Sequence, residues 1–305
     1  MEPLAQTIVL GHPRSLLWKQ LDASGDWAIR FPANDGVVFS YIVAGGCVFS
    51  MDDRREVLRA GDFIMLVRPN TWTLGNDAET PAFDYVPGVH PPVGQLLNGE
   101  GPITSTFGGR FEFDELNGGL IKALMPHFTL VRAGQVGAGR FRPLLELLGD
   151  EAKTPRPAGG LVLERLLELL LVEVIRRPQP SASHAEPGLL RGLSDPRIAK
   201  ALEAMHSDVA RRWTVIELAK LAGMSRSSFA AHFAATVGST PIDYLLHWRM
   251  ALAKDKLRND RLKLAEVAEM MGYGSTSAFS AAFTRLVGSP PSRFALAGDG
   301  RVEMA

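Results

Sequence analysis

Between about residues 27 and 113 the chain consists of short apolar runs broken by turn residues. Runs 37–43, 47–51 and 63–67 have the length of strands, and Gly45-Gly46, Asp52-Asp53 and Ala60-Gly61-Asp62 punctuate them. Short strands at close, regular spacing predict an antiparallel barrel or jelly roll. Beyond residue 140 the period lengthens. Residues 141–148 predict one helix, ending near Gly149. Residues 161–177 predict a second, with Leu163, Leu166, Leu167, Leu170, Val174 and Ile175 at helical spacing until Pro178 stops it. Pro180, Ser181, Ser183, Pro187, Gly188 and Gly192 then give 178–194 the composition of a linker.

From Asp195 onward the pattern is helical. Asp195 reads as an N-cap with Pro196 at the first helical position, followed by an apolar stripe of Ile198, Leu202 and Met205. The text then repeats. Glu217-Leu218-Ala219-Lys220-Leu221-Ala222-Gly223 returns 49 residues later as Glu266-Val267-Ala268-Glu269-Met270-Met271-Gly272. Ser225, Phe229, Phe233, Gly238 and Pro241 return 50 residues later as Ser275, Phe279, Phe283, Gly288 and Pro291. Each copy predicts a short helix, a glycine turn and a second helix, the helix-turn-helix shape that lays its second helix in a DNA major groove. Thr214 and Glu217 form a capping box in the first copy. Lys263 replaces the threonine in the second, so that helix start is expected to be looser. Thr240-Pro241 opens a long helix to Leu257 that bridges the copies. Two purely structural hairpins would explain the glycines, but not the same punctuation twice with paired phenylalanines.

Charge adds direction to this picture. The 305 residues carry 33 Lys and Arg against 33 Asp and Glu. Residues 191–305 hold 16 basic against 11 acidic side chains, and residues 1–190 hold 17 against 22. A basic C-terminal half suits a DNA-facing domain and an acidic N-terminal half suits another task. Cys47 is the single cysteine, which rules out an intramolecular disulfide and fits a cytoplasmic chain. Glu164, Arg165, Glu168 and Glu173 break the leucine-rich stretch, so no membrane span is expected there.

On Trp213-Thr214-Val215-Ile216-Glu217-Leu218-Ala219, Gly223-Met224-Ser225-Arg226-Ser227-Ser228-Phe229, Arg249-Met250 and their second-copy equivalents, residues 195–296 resemble the AraC/XylS family of bacterial transcription regulators. The resemblance implies two helix-turn-helix units on a rigid linking helix, reading major-groove faces about 34 Å apart. It places Ser227, Ala230 and Ala231 of the first copy, and Thr276, Ser277, Ser280 and Ala281 of the second, toward the bases. Relatives often carry Arg or Gln at the sites of Ala230, Ala231 and Ala281. Without a bidentate arginine–guanine pair, direct base readout is expected to be weak, leaving phosphate contacts, DNA shape and dimerisation to supply affinity. The implied phosphate contacts are Arg226, Arg285, Arg211, Arg212 and Arg249, the last with an internal ion pair as its alternative.

Residues 1–177 resemble the cupin-type sensor domains of one branch of that family, on Trp27-Ala28-Ile29-Arg30-Phe31-Pro32, Val43 to Gly45 and Arg59-Ala60-Gly61-Asp62-Phe63. Phe39, Tyr41, Phe49 and Trp72 are candidate effector-pocket residues, with core packing as the competing assignment, and Arg30 is a candidate anion anchor. No His-x-His pair occurs among the seven histidines, and Trp72 stands where related sensors often carry histidine. No metal, cofactor or catalytic residue is therefore expected.

The expected protein is an α+β two-domain chain. A cupin-like antiparallel β-barrel with two helices (1–177) senses an effector and dimerises. A linker (178–194), an all-α double helix-turn-helix domain with a linking helix (195–296) and a tail (297–305) follow. The resemblance implies a DNA-binding transcription regulator whose partners are double-stranded promoter DNA, a small-molecule effector, a second copy of the chain and RNA polymerase. The alternatives are a cupin-type metalloenzyme fused to a DNA-binding module, and an architectural DNA-binding protein with a vestigial barrel.

Overall fold

The computed structural model describes residues 2–85, 95–114, 116–134, 140–154, 156–177 and 187–296, with the backbone alone at 15–19, 95–98, 152 and 153. The expected tail and residues 178–186 of the expected linker lie outside the described residues. The chain forms two compact units, one drawn from residues 13–113 and 125–178, the other from 1–12, 114–124 and 179–305.

The first unit holds strands β1 (Arg14–Gly25), β2 (Ala28–Phe31), β3 (Val37–Ala44), β4 (Gly46–Met51), β5 (Arg54–Arg59), β6 (Phe63–Val67), β7 (Trp72–Gly75), β8 (Phe83–Asp84), β9 (Gln95–Asn98), β10 (Thr104–Glu112) and β11 (Phe128–Val131). They form a six-stranded sheet in the order β11-β6-β3-β10-β1-β9 and a five-stranded sheet in the order β5-β4-β7-β2-β8. Pairing is antiparallel except for β1 with β9 and β2 with β8. Gly45, between β3 and β4, requires glycine twice over: φ is +71°, and a Cβ would fall 2.6 Å from the Ile103 carbonyl. At the Ala60-Gly61-Asp62 turn, buried Asp62 accepts hydrogen bonds from the Arg59 and Ala133 N–H groups and from Arg132.

The helices, in chain order, are α1 (Pro3–Leu10), α2 (Gly118–Lys122), α3 (Phe141–Lys153), α4 (Gly159–Arg176), α5 (Leu189–Ser194), α6 (Pro196–Ser207), α7 (Val215–Leu221), α8 (Arg226–Val237), α9 (Pro241–Arg258), α10 (Leu264–Met270), α11 (Thr276–Val287) and α12 (Pro291–Leu296). No helix among the described residues is long and apolar enough to cross a membrane. Helices α3 and α4 belong to the β unit. Alternation along β3 shows what they cover. Val38 and Ile42 enter the core that includes Ile29, Phe49, Leu58, Ile64, Leu66, Trp72 and Leu74. Phe39 and Tyr41 point the other way: Phe39 meets Phe63, which meets Phe141 of α3, and Tyr41 lies under Gly149 of α3. Burial on both faces is why 37–43 reads as a continuous apolar run. It also corrects the expected end of α3. Gly149 is buried inside the helix, where even a Cβ would sit 3.3 Å from the Tyr41 ring, so this glycine permits close packing instead of stopping the helix.

The second unit is helical. Part of the expected linker is ordered helix: α5 packs on α6 and α8 through buried Gly192, where a Cβ would come within 2.8 Å of Leu202 and 2.9 Å of Val237. Residues 1–12 and 114–124, expected in the sensor domain, join this unit. Leu10 of α1 packs on Trp248 and Ala251 of α9. His12 Nε2 lies 2.7 Å from Asp255, the Asn117 side chain donates to the Ala251 carbonyl, and Lys254 donates to the carbonyl of Leu116. The sequence reading missed α1, although its signals are local: Pro3 at the first helical position and a Glu2 side chain that accepts from the Leu4 and Ala5 N–H groups.

His206 of α6 sits inside this packing. Its ring contacts Gln6 of α1 at 3.0 Å and the Tyr244 hydroxyl at 2.7 Å, and stacks on Trp248 at 4.3 Å. Burial holds its pKa down at about 4. The folded unit thus keeps a neutral ring that the unfolded chain protonates near pH 6.5, so stability is full above 6.5 and falls as pH drops toward 4. Urea unfolding of wild type and His206→Gln should show wild type losing about 3 kcal/mol more than the variant between pH 6.5 and 4. Parallel pH profiles for the two proteins would show that this ring is not the titrating group.

Candidate nucleic-acid interface

Each helix-turn-helix unit is built from its capping outward. In the first, Thr214 caps α7 and the Glu217 carboxylate returns to Thr214, with Arg211 bound to Glu217 at 2.9 Å. Those hydrogen bonds, led by the Thr214 hydroxyl, hold the Glu217 pKa at about 2. The second unit keeps half of this device. Lysine has no acceptor to offer, but the Lys263 N–H still donates to Glu266 at 3.2 Å, so the start of α10 is less open than expected. Ser225 and Ser275 cap α8 and α11, accepting from Ser228 N–H and Ala278 N–H. Left-handed Gly238 and Gly288 end these helices at φ +90° and +84°.

The inner faces of α8 and α11 match closely. Phe229 and Phe233 are fully buried with centroids 5.6 Å apart, as are Phe279 and Phe283. Helical geometry then turns the intervening positions outward. Ser227, Ala231, Thr276, Ser277 and Ala281 are exposed, and Ala230 and Ser280 are half-buried. The Ser227 and Ser277 hydroxyls lie 3.4 and 3.1 Å from their N-cap serines.

The five arginines expected on phosphates divide. Arg226, Arg211, Arg212 and Arg285 are exposed. Arg226 begins α8 and Arg285 stands near the end of α11. Arg211 lies over the Trp213 ring at 4.2 Å while it pairs with Glu217. Arg249 corrects the expectation. It is half-buried, its Nε donates to the Val209 carbonyl and a terminal nitrogen to the Arg211 carbonyl, both at 2.8 Å, so neither expected role describes it. His232, on the outer side of α8, lies 2.6 Å from Asp195, the N-cap of α6. That pair crosses between helices, and sequence reading could treat its members only separately.

The expected effector residues also divide. Phe49 and Trp72 are in the core between the sheets, with Trp72 stacked on Phe31 at 4.1 Å. Phe39 and Tyr41 are excluded from that core by strand alternation and face the helices. Arg30 is the exposed position of β2, its side chain 46% accessible and paired with Asp84, so it cannot anchor an anion between the sheets.

A β-sheet unit with flanking helices, together with tandem helix-turn-helix units on one helix, defines a DNA-binding regulator. The family model described as cupin matches residues 2–178, and a helix-turn-helix domain model matches residues 218–296. The chain belongs to the AraC-like transcription regulators, and is itself a DNA-binding transcription regulator. It is 39% identical over 295 residues to an AraC-like transcription regulator of Streptomyces lividans, covering 95% of this chain and 97% of that protein. A second AraC-like regulator, from Streptomyces antibioticus, is 36% identical over 294 residues, with 95% and 97% covered. The DNA-binding domain of AdpA, a global transcriptional factor solved with a target DNA, is 29% identical with a TM-score of 0.33. That match covers 36% of this chain and 99% of the AdpA domain.

Alanine, serine and threonine on the outer faces predict a short, degenerate consensus when the protein selects sites from random duplexes. Arg226→Ala should weaken every duplex alike and lower the slope of log affinity against log salt by about 1. A long guanine-rich consensus, or a loss confined to particular sequences, would contradict this assignment.

Proposed function

We propose that this regulator responds to a small apolar effector with one hydrogen-bond acceptor, held at the aromatic end of its cupin unit. One observation carries the reading: the Trp72 indole N–H is buried without a partner. Phe31, Phe49 and Phe128 are neighbours in the same cluster, with Tyr85 5.7 Å from Phe31 and Met51 packed alongside. A buried donor left unsatisfied costs about 1–3 kcal/mol. A ligand acceptor recovers that cost, and the aromatic faces select its shape. The chain's relatives are transcription regulators, which supports a sensing role for the unit over a metalloenzyme. Burial pushes the Cys47 thiol up to about 12.

Thermal shift across a panel of small aromatic ketones and ethers is the direct test. An effector raises the melting temperature of the full chain and changes its affinity for DNA, and Trp72→Phe abolishes both. A compound that changes DNA affinity equally in Trp72→Phe places the effector elsewhere.

The reading includes a homodimer that acts on promoter DNA through RNA polymerase. The outer stripe of α4 supports the dimer: Val162, Arg165, Leu169, Val172 and Arg176 alternate by three and four residues, and Val162 and Leu169 are 42% and 51% exposed. A two-fold axis at Leu169 in an antiparallel pair sets Arg165 of one copy against Glu173 of the other, because both lie four residues from the axis. Sedimentation should show Leu169→Glu as a monomer and wild type as a dimer. A dimeric Leu169→Glu would move the interface off α4.

A further inference from the structure

We infer that Arg249, with the loop it grips, fixes the spacing between the two recognition helices and so makes the number of base pairs between the two DNA boxes a determinant of specificity. The grip is bidentate. One guanidinium in the middle of α9 spans two carbonyls of one loop, those of Val209 and Arg211. The loop is closed on itself and anchored to the first unit. Asp208 accepts from the Arg211 N–H, the Trp213 indole donates to the Asp208 carbonyl, and Val209 and Trp213 pack on the first unit's core.

The second unit rests on the same loop. At Gly272 a Cβ would fall 2.0 Å from the Ala210 carbonyl oxygen and 2.9 Å from its Cα, and at Gly274 it would lie 3.8 Å from the Arg212 guanidinium. Gly223, the matching turn glycine of the first unit, has nothing within 4 Å. Both turn glycines need positive φ, +66° at Gly223 and +79° at Gly272, but Gly272 is also the contact point. Helix α9, the loop and the second turn therefore close a triangle. Cores packed on one helix hold each unit to the helix alone, whereas a third side braces the units against each other. Each added base pair shifts the second box by about 3.4 Å and a tenth of a turn. A braced pair cannot follow that shift. Spacing thus supplies discrimination that the alanine-bearing reading faces lack.

The probes are duplexes carrying a site selected by the wild-type full chain, and the same site with one base pair inserted or removed midway between its boxes. Wild type should lose about tenfold or more on either change. Arg249→Lys, whose single ammonium cannot span both carbonyls, should lose no more than about threefold relative to its own affinity for the parent site. Gly272→Ala, which forces the second turn off the loop without touching Arg249, should relax spacing in the same way. An unchanged spacing ratio in either folded variant overturns the inference, because a phosphate or plain packing role lowers all affinities together.

Free protein gives an independent reading. Lys220→Cys and Glu269→Cys occupy exposed, matching places in the two copies for spin labels, and buried Cys47 stays unlabelled. The inter-label distance should be narrow in wild type and broad with Arg249→Lys. A narrow distribution at the same distance in both overturns the inference.

Discussion

Helix α9 is the constraint on which the helical unit depends, because it belongs to several cores at once. Leu245 near its start enters the core of the first helix-turn-helix unit, with Phe229 and Phe233. Met250, Ala253 and Leu257 enter the core of the second, with Phe279 and Phe283. A further face, Trp248 and Ala251, takes α1. Eighteen residues make a rod about 27 Å long, slightly short of one turn of duplex. Each unit packs its core on its own share of the rod. Ala251 is buried against Leu10 of α1, and Ala253 is buried in the core of the second helix-turn-helix unit.

That constraint separates scaffold from reading surface. Burial of two phenylalanines four residues apart fixes the rotation of α8 and α11 about their own axes. The positions turned outward follow from geometry, whatever residue occupies them. This chain fills most of them with small side chains, so scaffold and text differ in strength. The fold fixes which positions of α8 and α11 turn outward more firmly than it fixes the residues that stand there.

The parts of the molecule legible in the sequence are those whose cause is local. Capping residues, turn glycines, the phenylalanine pairs and the runs at 37–43, 47–51 and 63–67 announce their elements within a few residues. Long-range contacts gave no such signal. Gly149 and Gly192 look like punctuation until the Tyr41 ring and Leu202 are seen against them. Phe39 and Phe49 look equivalent as aromatic strand residues, and only the second layer shows that they face opposite ways. Arg249 reads as a phosphate contact or an internal ion-pair partner until two carbonyls 38 and 40 residues earlier are found on it.

Chain connectivity links β1 and β10 to the segments that pack on α9. The chain leaves the helical unit after residue 12, returns at 114, leaves after 124 and returns at 179. Two of these junctions are neighbours, because Arg14 at the start of β1 pairs with Glu112 at the end of β10. The segments that flank this strand pair, α1 with His12 and residues 114–124, are the ones that hold α9 at Trp248, Ala251, Lys254 and Asp255.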